Sequence, residues 1–260
     1  MKNPNLILFL FIFLIIFLVG NSQTFIETVD HNPARFNFNS CIETNKIIHH
    51  QFYSLSYSEK AEQAEWVSYK LTSANFSQNI ERTNDFREDL LVNQGSASLD
   101  DYRASGYDRG HLAPAGSMKM NEASMSESFF MSNMSPQSAS FNRGVWKRLE
   151  GKVRYWSENN DSILVVSGPI LDNPISTIGT NKVYVPRAFY KVLIGFKGQK
   201  VMGIGFLIPH EKSDQSLYSF ATSIDAIEEL TGIDFYCKID ASIQLIVEAN
   251  RSVKKFIFKE

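Results

Sequence analysis

The segment GYDRGHLAPAGSM (106–118) places an acid, a cation and a titratable imidazole around one glycine, as Asp108, Arg109, Gly110 and His111. A solvated turn tolerates these residue types but does not require that order. Imidazole has an unperturbed pKa of about 6.5, which suits proton transfer near neutral pH. His111 is therefore a candidate general base, and its function depends on the groups that the rest of the chain brings to it.

Strand-like and helix-like segments alternate irregularly along the chain and predict one α+β domain with a central mixed or antiparallel sheet and flanking helices. We find no internal repeat, low-complexity tract or second apolar core. The predicted strands are HQFYSLSYS (50–58), AEWVSYKLT (64–72), ILVVSGPIL (163–171), VYVPRAFYKVLIGF (183–196) and KVMGIGFLIP (200–209). The predicted helices are 121–130, FNRGVWKRLEGKVRYW (141–156) and SIDAIEELTG (223–232), the last with Ser223 as cap and Gly232 as stop.

The N-terminal residues are typical of a secretory signal peptide. Lys2 precedes the apolar run LILFLFIFLIIFLV, and small residues follow near Ser22. The run of about 14 residues is shorter than the roughly 20 that span a bilayer, although an uncleaved anchor is the alternative. We therefore expect a signal peptide at 1–22, a poorly ordered lead-in at 23–45 and a catalytic domain at 46–260. The mature protein is expected to be secreted or periplasmic, without stable membrane association.

Charge and cysteine content limit the remaining possibilities. The formal net charge is −2, so a polyanionic partner would have to be bound by local Lys and Arg. The two cysteines, Cys41 and Cys237, could form one disulfide in an oxidising compartment, and two separate buried thiols are the alternative. Two cysteines without histidines at finger spacing do not make a structural zinc site.

A hard oxygen donor lies behind His111 on the predicted helix that begins at Phe141. Asn142, Trp146 and Glu150 recur every four residues and so occupy one slowly drifting stripe. An amide oxygen and a carboxylate suit Mg²⁺, which prefers oxygen ligands and keeps several waters. An imidazole can take a proton from the attacking water, and an ion can stabilise the negative charge of the phosphate. The pattern therefore suits phosphodiester hydrolysis.

The chain resembles the DNA/RNA non-specific endonucleases, a family with a ββα-metal core that includes secreted bacterial nucleases and mitochondrial endonuclease G. The motifs that carry the resemblance are YDRGHLAPA (107–115), SNMSPQ (132–137) and FNRGVWKRLE (141–150). Weaker similarity lies in AEWVSYKL (64–71), VPRAFYKV (185–192) and IEELTGIDFY (227–236). The motifs follow the family's order over most of the mature chain.

The resemblance implies a role for each site residue. It makes His111 the base that activates water, Asn142 the direct Mg²⁺ ligand, and Glu150 a ligand through water. Arg109 corresponds to the motif arginine near the phosphate, and Asn133 to an asparagine that supports the site and contacts substrate. The family also implies DNA and RNA as substrates without sequence specificity, Mn²⁺ as a substitute ion, and a possible homodimer.

A second arginine of the family stabilises charge in the transition state. Arg82 matches it across a variable loop, and Arg87 is its rival. We expect Asp108 to brace the hairpin rather than to enter the chemistry.

Two other functions compete with an exported Mg²⁺-dependent endonuclease. One is a catalytically inactive extracellular nucleic-acid-binding module of the same fold, against which the intact His111, Asn142 and Glu150 argue. The other is a zinc hydrolase, for which HExxH or a comparable ligand spacing is missing from the sequence.

Overall fold

The structure, a computed structural model, describes residues 47–76, 78–237 and 241–256. The predicted signal peptide and lead-in lie outside these residues, as does Cys41. Cys237 is described and is disulfide-bonded. Within the described ranges, no helix combines the length and the apolar character needed to cross a membrane.

The predicted α+β fold is confirmed. The strands are β1 (Ile47–His49), β2 (Ser54–Ser58), β3 (Gln63–Leu71), β4 (Asp108–His111), β5 (Met134–Gln137), β6 (Ser162–Pro169), β7 (Ser176–Ile178), β8 (Val183–Val185), β9 (Ala188–Lys197), β10 (Lys200–Pro209) and β11 (Ala221–Thr222). The helices are α1 (Leu99–Tyr102), α2 (Glu122–Glu127), α3 (Ala139–Phe141), α4 (Lys147–Ser157), α5 (Ile224–Thr231), α6 (Ala241–Glu248) and α7 (Val253–Phe256).

An antiparallel sheet forms the centre, with strand order β1-β2-β3-β6-β9-β10-β11 in the part of the chain that is described. β4 pairs with β5, and β7 with β8, as two small separate sheets. The predicted hairpin between β9 and β10 turns at Gly198, whose φ of +55° is easily adopted by a residue without Cβ.

Alternate residues of each strand point to opposite faces of the central sheet. Each face is covered by an apolar cluster. On β9, Phe189 and Leu193 pack in the apolar cluster that includes Trp146 and Leu149 near α4. The even-numbered residues of β9 pack in a second apolar cluster against α5 and α6: Tyr190, Val192, Ile194 and Phe196. Lys191 has the same parity as Phe189 and Leu193 and therefore belongs to the α4 face.

The predicted single helix from Phe141 is wrong in one respect. α3 ends at Phe141, a π-helical segment covers Asn142–Trp146, and only then does α4 begin. Gly144 has φ −101° and ψ −112° inside this segment, a non-helical conformation. The wide turn changes the spacing of side chains, so the stripe through Asn142 and Glu150 is not that of a regular α-helix.

The other predicted helices have different boundaries but the expected signals. The helix predicted at 121–130 ends at Glu127, and Asn121 caps it by accepting a hydrogen bond from the Ser124 amide at 2.8 Å. Ser223 caps α5 in the same way, through the Ala226 amide, and Gly232 ends it with φ +69°. Asn121 and Ser223 are residue types that favour the N-cap of a helix, and Gly232 is the type that favours its C-terminal end.

Candidate active site

The tetrapeptide Asp108–His111 is a β-strand, and its glycine lies against the side chain of Gln137. β4 runs antiparallel to β5 with Gly110 opposite Ser135. A Cβ on Gly110 would collide with the side chain of Gln137, so a larger residue would require that side chain to move. The Ser135 hydroxyl donates to Gln63 at 2.6 Å, which fastens the β4–β5 hairpin to β3 of the main sheet.

His111 is held in a nearly closed apolar pocket. Its side chain is 8% exposed, and its ring meets Phe129 edge-on, with centroids 5.0 Å apart and planes at 89°. The ring hydrogen-bonds with the backbone of Arg109, whereas Nε2 has no hydrogen-bond partner among the described residues. One ring nitrogen is therefore engaged, and the other, Nε2, is buried without a partner among the described residues.

The electrostatics around His111 favour the neutral ring. Burial, then the positive charges of Arg82 and Arg109, lower its pKa to about 3. The hydrogen bond to the Arg109 backbone opposes this shift but does not outweigh it. Since desolvation and nearby cations both disfavour imidazolium, the ring is in its basic form at neutral pH.

The structure distinguishes between the two candidate arginines. The Arg82 guanidinium lies 4.7 Å from the centroid of Phe129, the ring that also contacts His111. Arg87 instead donates to Asp85 and to the Ser126 carbonyl, at 2.9 and 3.0 Å. Of the two, Arg82 is the arginine beside His111, and Arg87 belongs to the surrounding loop structure.

Asn142 and Asp108 are held together in a fixed orientation. Nδ2 of Asn142 donates to the Asp108 carboxylate at 2.9 Å, and Arg143 binds the same carboxylate through two nitrogens at 2.7 and 2.9 Å. A carboxylate only accepts, so the nitrogen of the amide must face Asp108 and its oxygen is left for another ligand. Asp108 thus braces Asn142 and Arg143 rather than the hairpin alone, which corrects the expectation from sequence.

Glu150 lies among four cationic side chains. Burial raises its pKa, and the positive charges of Lys191, Arg154, Arg82 and Lys147 oppose that rise. Lys191 is fully buried, donates to the Ser167 hydroxyl, and has its Nζ 4.6 Å from the centroid of the Trp146 ring.

Sequence reasoning missed both Lys191 and Arg154. A lysine inside an otherwise apolar strand pattern, as in AFYKVLIGF (188–196), was the available signal for Lys191.

Asn133 supports the site from inside the protein. It is fully buried, accepts from the Ala113 amide at 2.8 Å, and donates to the carbonyls of Ala113 and Ser128 at 2.9 and 2.8 Å. These bonds fix the backbone that follows His111. The expectation that Asn133 also contacts substrate stays a prediction, and in the described structure its amide is occupied by protein groups.

A cleft of about 570 Å³ opens beside these residues. Four arginines and one acid supply its charge, whereas His111 and Glu150 are not part of its lining. The lining residues are Arg82, Asn84, Phe86, Leu99, Tyr102, Arg103, Tyr107, Asp108, Arg109, Asn142 and Arg143. A cleft with this excess of guanidinium groups suits a phosphate chain despite the net negative charge of the protein.

The other described histidines, His49, His50 and His210, have structural partners. His50 contacts Asp89 at 2.9 Å, and His210 bridges the Ser138 amide and the Pro186 carbonyl, both at 2.7 Å. His31 lies outside the described residues.

Comparison with known proteins connects this geometry to a family. The family described as DNA/RNA non-specific endonuclease matches residues 33–242. A nuclease of Syncephalastrum racemosum is 34% identical over 73% of this chain and 67% of its own length. Nuclease C1 of Cunninghamella echinulata var. echinulata is 30% identical over 85% of this chain and 91% of its own.

A solved structure of an EndoG/EndoGI complex gives the same result in three dimensions. It aligns with a TM-score of 0.71 and 30% identity, covering 76% of this chain and 88% of the other. The chain therefore belongs to the DNA/RNA non-specific endonuclease family, and it is a hydrolase that acts as an endonuclease on nucleic acids.

Proposed function

We propose that the protein is an exported, Mg²⁺-dependent endonuclease that cleaves DNA and RNA without sequence preference, with His111 as the general base. The observation that carries the proposal is a neutral imidazole whose Nε2 has no partner among the described residues, beside two arginines. Arg109 lines the cleft and Arg82 does too, so a phosphate bound between them would lie close to the base.

The two arginines have a double effect on proton transfer. Without substrate they lower the pKa of His111 and keep it neutral. A bound phosphate offsets their positive charge, which makes imidazolium less costly at the moment when water must lose its proton. The same guanidinium groups then stabilise the charge that develops on the phosphate oxygens.

The residues present fit a hard divalent ion, on which the family's nucleases depend. Asp108 orients the Asn142 amide so that Oδ1 is the atom available to a ligand. The Glu150 carboxylate lies among cations that oppose the rise of its pKa. Asn142 would hold Mg²⁺ directly and Glu150 would hold it through water. When bound, the ion supplies positive charge to the phosphate and the leaving oxygen.

Recognition without sequence preference agrees with the lining of the cleft. Guanidinium groups contact phosphates, which are the same in every sequence, and such contacts weaken as salt rises. The alternative, an inactive binding module, would have no need for an unpartnered and neutral His111. Export is supported by the apolar run after Lys2 and by the disulfide at Cys237.

The test compares His111→Asn with His49→Asn, because His49 is exposed and bonded only to Ser54 in the described structure. Each protein is incubated with plasmid, single-stranded DNA and RNA, in Mg²⁺ or EDTA. We expect His111→Asn to lower kcat by about 10²–10⁴-fold with little change in substrate binding, and His49→Asn to behave as the parent. Near-normal turnover of His111→Asn, or full cleavage in EDTA, would contradict the proposal.

A further inference from the structure

Three carboxylates meet on the side of the sheet that is opposite α4. Asp225 lies in the first turn of α5, Glu228 one turn later, and Glu248 is the last residue of α6. One ligand oxygen from each lies within 4.8 Å of the other two. Ile227 and Val247, beside them in sequence, pack in the apolar cluster of that face, whereas Trp146 packs in the other cluster.

Glu248 is an independent sign that this cluster has a ligand. Its side chain is 9% exposed, and Oε1 is buried with no hydrogen-bond partner among the described residues. Burying a carboxylate oxygen without a partner is costly, so native proteins rarely leave one in this state. Burial, then the like charges of Glu228, Asp234 and Asp225, raise the pKa of Glu248 to about 7.

Hydrogen bonds hold one of the three carboxylates and the chain just beyond α6. Glu228 Oε1 accepts a hydrogen bond from the Phe235 amide at 2.9 Å, and Asn250 Nδ2 donates to the Gly203 carbonyl at 2.7 Å just beyond α6. A Cβ on Gly203 would collide with Val247, so the end of α6 lies directly on β10. These contacts hold the end of α6 against β10 and Glu228 against the segment that follows α5.

We propose that Asp225, Glu228 and Glu248 bind a Ca²⁺ ion that fastens α6 to α5, separate from the catalytic site. Ca²⁺ takes several carboxylate oxygens at about 2.3–2.6 Å in flexible geometry, so two oxygens on opposite sides of the ion are about 4.6–5.2 Å apart. Three oxygens within 4.8 Å of one another fit that span. Mg²⁺ at about 2.0–2.1 Å requires a tighter and more regular arrangement.

The experiment measures Ca²⁺ binding and thermal stability of the full chain, and uses no nuclease assay. All proteins carry Asn142→Ala, so that a metal at the catalytic site contributes less to the signal. CaCl₂ is titrated by calorimetry, and Tm is compared in saturating Ca²⁺ and in EDTA. The test variants are Glu248→Gln and Asp225→Asn, and the matched control is Glu229→Gln, an exposed acid on the same helix.

Ca²⁺ should raise Tm of the background protein and of Glu229→Gln by roughly 5 °C, since a ligand that binds only the folded state stabilises it. Glu248→Gln and Asp225→Asn should each lose most of that rise and the calorimetric signal. Glu248→Gln should still fold, because removal of a crowded charge stabilises the protein in EDTA. Absence of Ca²⁺ binding at millimolar concentration, or an equal rise of Tm in the cluster variants, would overturn the proposal.

Discussion

The carboxylate of Asp108 accepts a hydrogen bond from Nδ2 of Asn142 at 2.9 Å, across the junction between the β4–β5 hairpin and the π-helical segment. This contact orients the amide and leaves its oxygen available. Arg143 reinforces it by binding the same carboxylate through two nitrogens. Asp108 therefore connects the strand that carries His111 to the residue that we propose as metal ligand.

We predict that Asp108→Ala raises the Mg²⁺ concentration needed for half-maximal activity by about 10–100-fold, the usual effect of removing a group that orients a metal ligand. Asn142→Ala should have a larger effect, partly rescued by added Mg²⁺, and Glu150→Gln a milder one. The measurement is the initial rate against Mg²⁺ concentration at saturating DNA. Asp172→Ala, at an exposed position, is the control, and unchanged metal dependence of Asp108→Ala would remove its orienting role.

A second prediction distinguishes Arg82 from Arg87, the two alternatives for the second arginine of the site. Arg82→Ala should lower kcat by about 10²–10³-fold, because a charge next to the reacting phosphate is lost. Arg87→Ala should keep kcat near that of the parent and lower the free energy of unfolding by about 1 kcal/mol, since it loses its bond to the Ser126 carbonyl. Single-turnover kinetics and urea unfolding of both variants provide the check. The reverse pattern would assign the catalytic role to Arg87.

The third prediction concerns the protonation of His111. Its pKa is lowered to about 3, so the neutral ring persists as pH falls from 8 to about 4.5, where an ordinary histidine would become protonated. Arg109→Gln removes one of the positive charges that lower this pKa and should move the titration upward. NMR of labelled histidine measures it directly.

The control for that titration is Arg103→Gln, because Arg103 lines the cleft but is not among the charges that act on His111. Protonation of His111 near pH 6.5 in the parent protein would contradict this electrostatic explanation.

The sequence allowed β2, β3, β6, β9, β10 and the α5 caps to be predicted, because these depend on local patterns. The single strand predicted at 183–196 is wrong, since β8 and β9 lie in different sheets, and β1, β7 and β11 were not predicted. Gly232 and Ser223 are local signals, and the nearly continuous apolar run of β9 is typical of a strand that is buried on both faces. The π-helical segment at Asn142–Trp146 could not be predicted, since a four-residue spacing fits a regular helix equally well. Two residues of this segment, Asn142 and Arg143, bind Asp108, which is distant in sequence.

The charges around Glu150 also could not be predicted from local sequence patterns. Lys191 comes from β9 and Arg82 from a loop, and only the fold brings their charges to the same carboxylate. Asn133 is a second example, because its complete burial could not be predicted from the motif alone. Its three hydrogen bonds to Ala113 and Ser128 show that burial, which the sequence does not specify, determines what an asparagine does.

The last prediction concerns Lys191 and Glu150, two groups that burial affects in opposite directions. Burial lowers the pKa of Lys191 to about 8 and raises that of Glu150, while each charge stabilises the other. Lys191→Met should therefore lower the free energy of unfolding by about 3 kcal/mol, because Glu150 loses a compensating charge in a poorly solvated position.

Glu150→Gln should cost less, since the lysine keeps its bond to the Ser167 hydroxyl. The double variant should be more stable than the sum of the two single effects, with a coupling energy of about 1–2 kcal/mol. Urea unfolding of the four proteins at pH 7 gives this cycle, and Lys182→Met, at an exposed lysine, controls for the substitution itself. Additive single effects would mean that the two side chains do not interact. The presence of a buried lysine on β9 would then need another explanation.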